Sequence, residues 1–329
     1  MIASKVTELI GNTPLLKIKM KNNDWNVFLK IEKYNPGGSM KDRMALNMIE
    51  QAEKDGRLKP GGTIIESSSG NTAIGLAIVA AIKGYKFIAV VDHHASKDKL
   101  KIITAYGAEI VVVGDNYSED RVAVVEREKV AKEMSEKIEN SFFVNQADNF
   151  DNKNAYLALA KELTDEIGSV DEFYAAIGTG GSSCGTAMGL KNININTKVN
   201  VIEPDGSVIF GGEGKPYYQS GTGNPDDAPI PKIIDYSIID NNFYATDKEA
   251  FNACRYFAKK YGLLIGGSAG GVLYKALEDI DKKSGKGNAV ILLCDGGEKY
   301  LETIFNEKWM IDHYFIDNNI EEKLNSILR

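Results

Sequence analysis

Short apolar runs alternating with longer stretches of helical spacing constrain this chain more than any other feature. Thr63-Ile64-Ile65, KFIAVVD (86–92), AEIVVVG (108–114) and FFVNQ (142–146) have the length and β-branched or aromatic content of buried strands. Three segments with helical spacing lie between them: AIGLAIVAAIKG, which ends at Gly84, Ser96 to Tyr106, and the charged residues 117–139. Repeated strand–helix alternation over 44–146 predicts a parallel sheet with helices on both faces. The alternation resumes with a helix at 154–166, strands EFYAAI (172–177) and KVNVIEP (198–204), a helix near 247–260, and NAVILLCDGGEKY (288–300), read as a strand and turn. Upstream, a Gly11-Asn12-Thr13-Pro14 turn precedes the apolar run Leu15–Ile18, and WNVFLKI (25–31) alternates like a strand. The fold class is α/β. At 329 residues the chain is long for a single core, so two domains are expected. The last 25 or so residues are polar with scattered aromatics and read as a tail that packs on the body or on a partner subunit.

The punctuation between these elements is where chemistry is expected. Asn35-Pro36-Gly37-Gly38-Ser39-Met40-Lys41-Asp42-Arg43 is a turn leading straight into a helix, in which Met44, Ala45, Met48, Ile49 and Ala52 recur at helical spacing. Ser39 followed by Asp42 resembles a capping box and puts Lys41 in the first helical turn. A lysine held there, partly out of water, favours its neutral, nucleophilic form; the competing reading is a solvated surface lysine. Four turns rich in glycine or serine follow apolar runs, at 67–72, 178–183, 266–271 and 295–297. Ligands of open parallel sheets bind beyond the carboxyl ends of strands, so four such turns suggest one composite site. Gly178-Thr179-Gly180-Gly181-Ser182-Ser183 opens a helix and suits an anion. It lacks the Gly-Lys-Ser/Thr of a Walker loop and matches GxGxxG poorly, which favours a phosphate held without a paired lysine over a nucleotide. Ser68, Ser69, Asn71 and Thr72 offer hydroxyls, an amide and backbone N–H groups suited to a carboxylate, with Gln146 at another strand end as a further donor. Simple helix caps are the alternative there and at Ser268.

Bulk properties exclude several classes. A net charge of −7 with no long Lys/Arg run argues against a nucleic-acid surface. No run of about 18 apolar residues is present, so no membrane-spanning helix is expected. The N-terminus lacks the apolar core of a signal peptide. Cys184, Cys254 and Cys294 have no CxxC spacing and read as reduced, buried residues of a cytoplasmic protein. The adjacent His93-His94 lacks metal-ligand spacing, so no metal site is expected.

Taken in order, the stretches 35–43, 67–72, 178–182, 266–270 and Asp295-Gly296-Gly297-Glu298-Lys299-Tyr300 resemble the cysteine synthase / cystathionine β-synthase family, over about residues 5–305. These are enzymes of fold-type II that use pyridoxal phosphate (PLP). The resemblance implies a two-domain, tryptophan synthase β-like fold: a small mobile domain at 44–150, a large PLP-binding domain at 1–43 and 151–310, and a C-terminal tail at 311–329. It implies a homodimer acting on small amino-acid substrates. By resemblance, Lys41 forms the Schiff base with PLP and Asn71 bonds its 3′-oxygen. Gly178, Thr179, Gly180, Gly181 and Ser182 cup the phosphate, and Ser268 meets the pyridine nitrogen. Ser68, Ser69, Thr72 and Gln146 hold the substrate carboxylate; Ser68 stands where the family commonly has Thr, with the hydroxyl retained.

A hydroxyl at the pyridine nitrogen makes a moderate electron sink, which suits loss of a β-leaving group. Lys41 then serves first as anchor and afterwards as the base for the α-proton, giving an aminoacrylate that a second nucleophile attacks. The expected activity is β-replacement on O-acetylserine, O-phosphoserine, serine or cysteine. The stretches 90–110, 206–211 and 295–309 look most like a siderophore-pathway branch that joins O-phosphoserine to glutamate, an amine nucleophile. The loop 219–231 departs from both patterns; its Asp226 and Asp227 are candidates to orient or deprotonate the nucleophile, including in a sulfide-releasing cysteine lyase, or are exposed loop acids. Pure β-elimination and a catalytically silent regulatory protein are the rival readings.

Overall fold

The computed structural model describes residues 2–114 and 123–329. The strands are β1 (Leu15–Lys19), β2 (Asn26–Ile31), β3 (Thr63–Ser67), β4 (Lys86–Asp92), β5 (Glu109–Val113), β6 (Ser141–Phe143), β7 (Glu172–Ala176), β8 (Lys198–Pro204), β9 (Asn241–Ala245) and β10 (Asn288–Leu293). The helices are α1 (Lys41–Lys54), α2 (Asn71–Lys83), α3 (Lys97–Ala105), α4 (Val124–Lys137), α5 (Phe150–Asn154), α6 (Leu157–Ile167), α7 (Gly181–Ile193), α8 (Asp247–Tyr261), α9 (Gly267–Asp281), α10 (Glu307–Asp312) and α11 (Asn318–Ile327). Residues 117–122 of the expected charged helix lie outside the described residues; the rest forms α4.

Two sheets result. The smaller has the order β5-β4-β3-β6 and is parallel throughout. The larger has the order β1-β2-β10-β7-β8-β9 and is parallel except for the pair β1–β2. Every residue of β3 and β7 is buried, which is why these strands read as continuous apolar runs rather than alternating ones. Ile65, Ile88 and Val90 pack with Ala131 of α4 in a small cluster of their own, while Ile64, Phe87 and Ala89 join the main core with α2. Helices therefore cover both faces of the smaller sheet, as the alternation predicts. Gly84 ends α2 in a left-handed conformation at φ 77°, a role suited to a residue without Cβ.

The structure departs from the expected elements in three places. β6 stops at Phe143, because Asn145 turns the chain with φ 49°; Gln146 therefore lies in a turn rather than at a strand end. Leu263–Ile265 forms no strand and contributes only the bridge Ile265↔Gly296. The C-terminal segment is no loose tail. It forms α10 and α11, buries Ile320, Leu324, Ile327 and Leu328, and ties back through Lys21 N–H to Ile327 O at 2.7 Å and the bridge Met20↔Leu328. Of the two packing sites open to it, the structure shows the body of its own chain.

Candidate active site

Lys41 is the first residue of α1, and the turn before it is fixed from several sides. The Ser39 hydroxyl accepts from Lys41 N–H at 3.2 Å, while the Asp42 carboxylate accepts from Gly37 N–H at 2.5 Å. Ser39 and Asp42 thus brace the turn individually instead of forming the reciprocal capping box the sequence suggests. Met40 N–H donates to Cys294 O at 2.9 Å, Ser39 bridges Asp295, and Tyr156 OH donates to Met40 O at 3.0 Å. The turn is in this way fastened to the end of β10. Burial pushes the Lys41 ammonium below its ordinary value, and Cys294, Glu66 and Asp295 pull against that shift. A half-buried lysine with this tendency is a ready nucleophile and base, not a solvated surface cation.

Beneath the turn, Arg43 is almost fully buried between two carboxylates. It donates to Glu32 at 2.6 and 2.9 Å and to Glu162 at 2.6 and 2.8 Å. Buried Lys30 meets Glu162 at 2.9 Å and Thr13 O at 2.6 Å, and Thr13 OH donates to Glu32 at 2.6 Å.

The loop after β3 leads into α2 at Asn71. Ser68 Oγ accepts from Gly70 N–H at 3.2 Å, and Thr72 OH donates to Gln146 Oε1 at 2.8 Å. The structure thus brings Gln146 and Thr72 together, while Ser68 and Ser69 lie half-buried on the same loop. The second turn begins α7. Gly180 sits at φ 84°, and a Cβ there would meet Ile234 at 2.7 Å; a Cβ on Gly181 would lie 2.2 Å from Asn152 Oδ1. The Thr179 hydroxyl accepts from Asn152 at 3.3 Å, Ser182 is buried, and the first turn of α7 carries no acidic residue. Bare backbone at a helix N-terminus, with no carboxylate to repel an anion, fits a phosphate. Ser268 is the second residue of α9 and is buried beside Cys294, whose thiol burial and the Asp295 charge push up to about 12 while Ser268 acts to lower it.

A cavity of about 480 Å³ opens against Gln146, Gly178, Thr179 and Asn224, between α4 and the 223–232 loop. Asp226 and Asp227 are exposed and do not line this cavity, and neither do Lys41, Asn71 or Ser268.

Four further residues emerge only in three dimensions: Glu66, Asp295, Lys299 and Tyr300. Asn71 Nδ2 donates to Asp295 Oδ2 at 2.8 Å, Tyr300 OH donates to the same oxygen at 2.8 Å, and Lys299 Nζ donates to Asn71 Oδ1 at 2.7 Å. The motif 295–300 was visible in the sequence, but nothing in it indicated partners more than 200 residues away. Glu66 is 2% exposed, accepts from Gln146 Nε2 at 3.4 Å, and its Oε2 has no hydrogen-bond partner among the described residues. Burial, reinforced by Glu128, pushes its carboxyl up to about 8. The folded protein thus holds a proton that the unfolded chain releases near 4.5, and stability falls as pH rises between those values. Glu66→Gln should remove this dependence: its melting temperature relative to wild type rises from pH 5 to pH 8 and then levels off. A difference that stays constant over that range in a thermal-unfolding series would contradict the assignment.

A half-buried lysine whose ammonium form burial disfavours, a helix N-terminus with no acidic residue in its first turn, and a set of amide and hydroxyl donors are compatible with a phosphorylated aldehyde cofactor. The chain belongs to the pyridoxal-phosphate dependent enzyme family, which matches residues 6–295. It is 47% identical over 329 residues to a Sinorhizobium fredii protein provisionally named a cysteine synthase, covering 100% of this chain and 98% of that one. It is 37% identical over 305 residues to the cysteine synthase of Staphylococcus aureus, covering 91% of this chain and 95% of that one. Among solved structures, a hydrogen sulfide-producing enzyme from Fusobacterium nucleatum superposes with a TM-score of 0.83 at 35% identity, covering 91% of this chain and 98% of that one. The α/β fold is that of the fold-type II enzymes, and the cofactor is PLP. Among the described residues, no helix is long and apolar enough to cross a membrane.

Proposed function

We propose that the protein is a cysteine-synthase-like enzyme that replaces the β-substituent of a small amino acid, acting as a cytoplasmic homodimer. The observation that carries this reading is Lys41, half-buried at the start of α1 with its ammonium form disfavoured. PLP, when bound, supplies the electron sink that makes the α-proton acidic and the β-substituent a leaving group. The residues Gly178 to Ser182 hold its phosphate, Asn71 its 3′-oxygen and Ser268 its ring nitrogen. Ser68, Ser69, Thr72 and Gln146 would hold the substrate carboxylate. Lys41 Nζ would take up the α-proton, and burial favours the neutral amine needed for that. The names of the relatives support sulfide as one of the exchanged groups. The exposed Asp226 and Asp227 are left outside the proposed machinery.

The test is to supply the PLP-loaded protein with O-acetylserine, O-phosphoserine, serine or cysteine, and to add sulfide, a thiol or glutamate one at a time. A β-substituted alanine is the expected product; pyruvate and ammonia in its place would establish elimination and sink the replacement reading. A product formed with glutamate would identify the amine-using branch, and serine plus sulfide from cysteine would identify a sulfide-releasing lyase.

A further inference from the structure

Asn71 is clamped between opposite charges. Its Nδ2 donates to Asp295 Oδ2 at 2.8 Å and its Oδ1 accepts from Lys299 Nζ at 2.7 Å. An ammonium only donates and an ionised carboxylate only accepts, so these two partners fix which end of the amide is which. One N–H of Nδ2 remains for a ligand. Neither partner is incidental. Asp295 is 2% exposed, is held in place by Tyr300 OH at 2.8 Å, and keeps Oδ1 buried with no hydrogen-bond partner among the described residues. A Cβ on Gly266 would lie 2.0 Å from that oxygen, so the carboxylate packs against the N-terminal turn of α9, where Ser268 sits. Lys299 uses its other protons on Gly37 O at 2.9 Å and Gly38 O at 3.4 Å, in the turn that carries Lys41. The Lys99 ammonium lies 4.7 Å from the centre of the Tyr300 ring, adding a second cation beside Asp295. A buried carboxylate and a half-buried ammonium cost desolvation free energy, which a merely structural contact between two loops does not require.

We infer that Asp295 and Lys299 are positioning residues: they lock the Asn71 amide so that it presents a donor, never its carbonyl, to the 3′-oxygen of the bound cofactor. The inference rests on the cofactor placement proposed above. A donor at that oxygen favours its anionic form, whereas a flipped amide would face it with a carbonyl and favour the protonated form. Lys299 further couples this orientation to the Lys41 turn, so that anchor and ring partner are set by one side chain.

The test uses full-length protein stripped of PLP and titrated with it, following absorbance and affinity, with thermal unfolding of the stripped protein as the fold control. Lys299→Met should weaken PLP binding about tenfold, as expected for loss of a charge-assisted hydrogen bond. It should also move intensity from the visible band to the near-ultraviolet band. Lys299→Arg, which keeps a cationic donor, should restore both to near the wild-type values. In an Asn71→Ala background, Lys299→Met should change affinity by less than about threefold, because its target is gone. A Lys299→Met protein with unchanged affinity and spectrum, or an equal loss with and without Asn71, would overturn the inference while leaving the proposed function standing. Wild-type protein that takes up no PLP would overturn both.

Discussion

Arg43→Ala is expected to lower folding stability by about 3–5 kcal/mol, the usual result of removing one member of a buried ion network. Alanine would leave Glu32, whose side chain is 0% exposed, without either guanidinium hydrogen bond, and would strip Glu162 of two more. Lys30 would remain buried opposite Glu162, but a single ammonium cannot satisfy two carboxylates. The pH dependence checks the mechanism separately. Burial pushes the Glu162 carboxyl up, yet the Arg43 hydrogen bonds and charge outweigh it and hold the group down at about 2. Stability from that shift is complete above about 4.5 and is lost as pH falls toward 2. Urea unfolding of wild type should therefore show a decline across that acid window, and Arg43→Ala should show a smaller one. A loss below about 1 kcal/mol at neutral pH would mean that water replaces the guanidinium and that the network is not buried in effect. Because Arg43 lies two residues from Lys41, the variant should also bind PLP more weakly than its fold loss alone explains.

The strand–helix order was legible because parallel strands covered on both faces carry continuous apolar runs, as Ile64-Ile65 in β3, Phe87–Val91 in β4, Phe173–Ala176 in β7 and Ala289–Leu293 in β10 do. Spatial order was not legible. That β10 lies between β2 and β7 depends on which edges meet across more than a hundred residues, and local pattern carries no record of this. The packing of the C-terminal segment on the body was among the readings open to it, but its helices were not legible: α11 buries only a narrow stripe of Ile320, Leu324 and Ile327 within a mostly polar helix. The site follows the same division. Lys41 and the glycine and serine turns were readable because turn chemistry is local. Asp295 was not, since its meaning lies in a hydrogen bond to a residue 224 positions away. Glu66 carries no local signal, and only its burial beside Gln146 gives it an unusual proton affinity.

Lys41→Ala is expected to abolish the visible band of the PLP-loaded protein and to reduce turnover by at least about 10³-fold, since one side chain supplies both the covalent anchor and the base. PLP should still bind, more weakly, because the cup at Gly178–Ser182 and the Asn71 and Ser268 contacts are untouched. Stability should behave in the opposite way to that of Arg43→Ala. Burial lowers the Lys41 proton affinity, so the folded state disfavours an ammonium that the unfolded chain keeps until pH rises past about 10.5. That mismatch weakens the wild-type fold at neutral pH and fades as pH rises through the unfolded value. Thermal unfolding of the cofactor-free Lys41→Ala protein should therefore occur at a temperature no lower than that of wild type at pH 7, with any advantage shrinking as pH rises toward 10.5 and gone above it. Full turnover in this variant would refute the site assignment. Loss of turnover together with a sharply lower unfolding temperature would instead give Lys41 a structural part, contrary to its half-buried position at the first residue of α1, where it forms no salt bridge among the described residues.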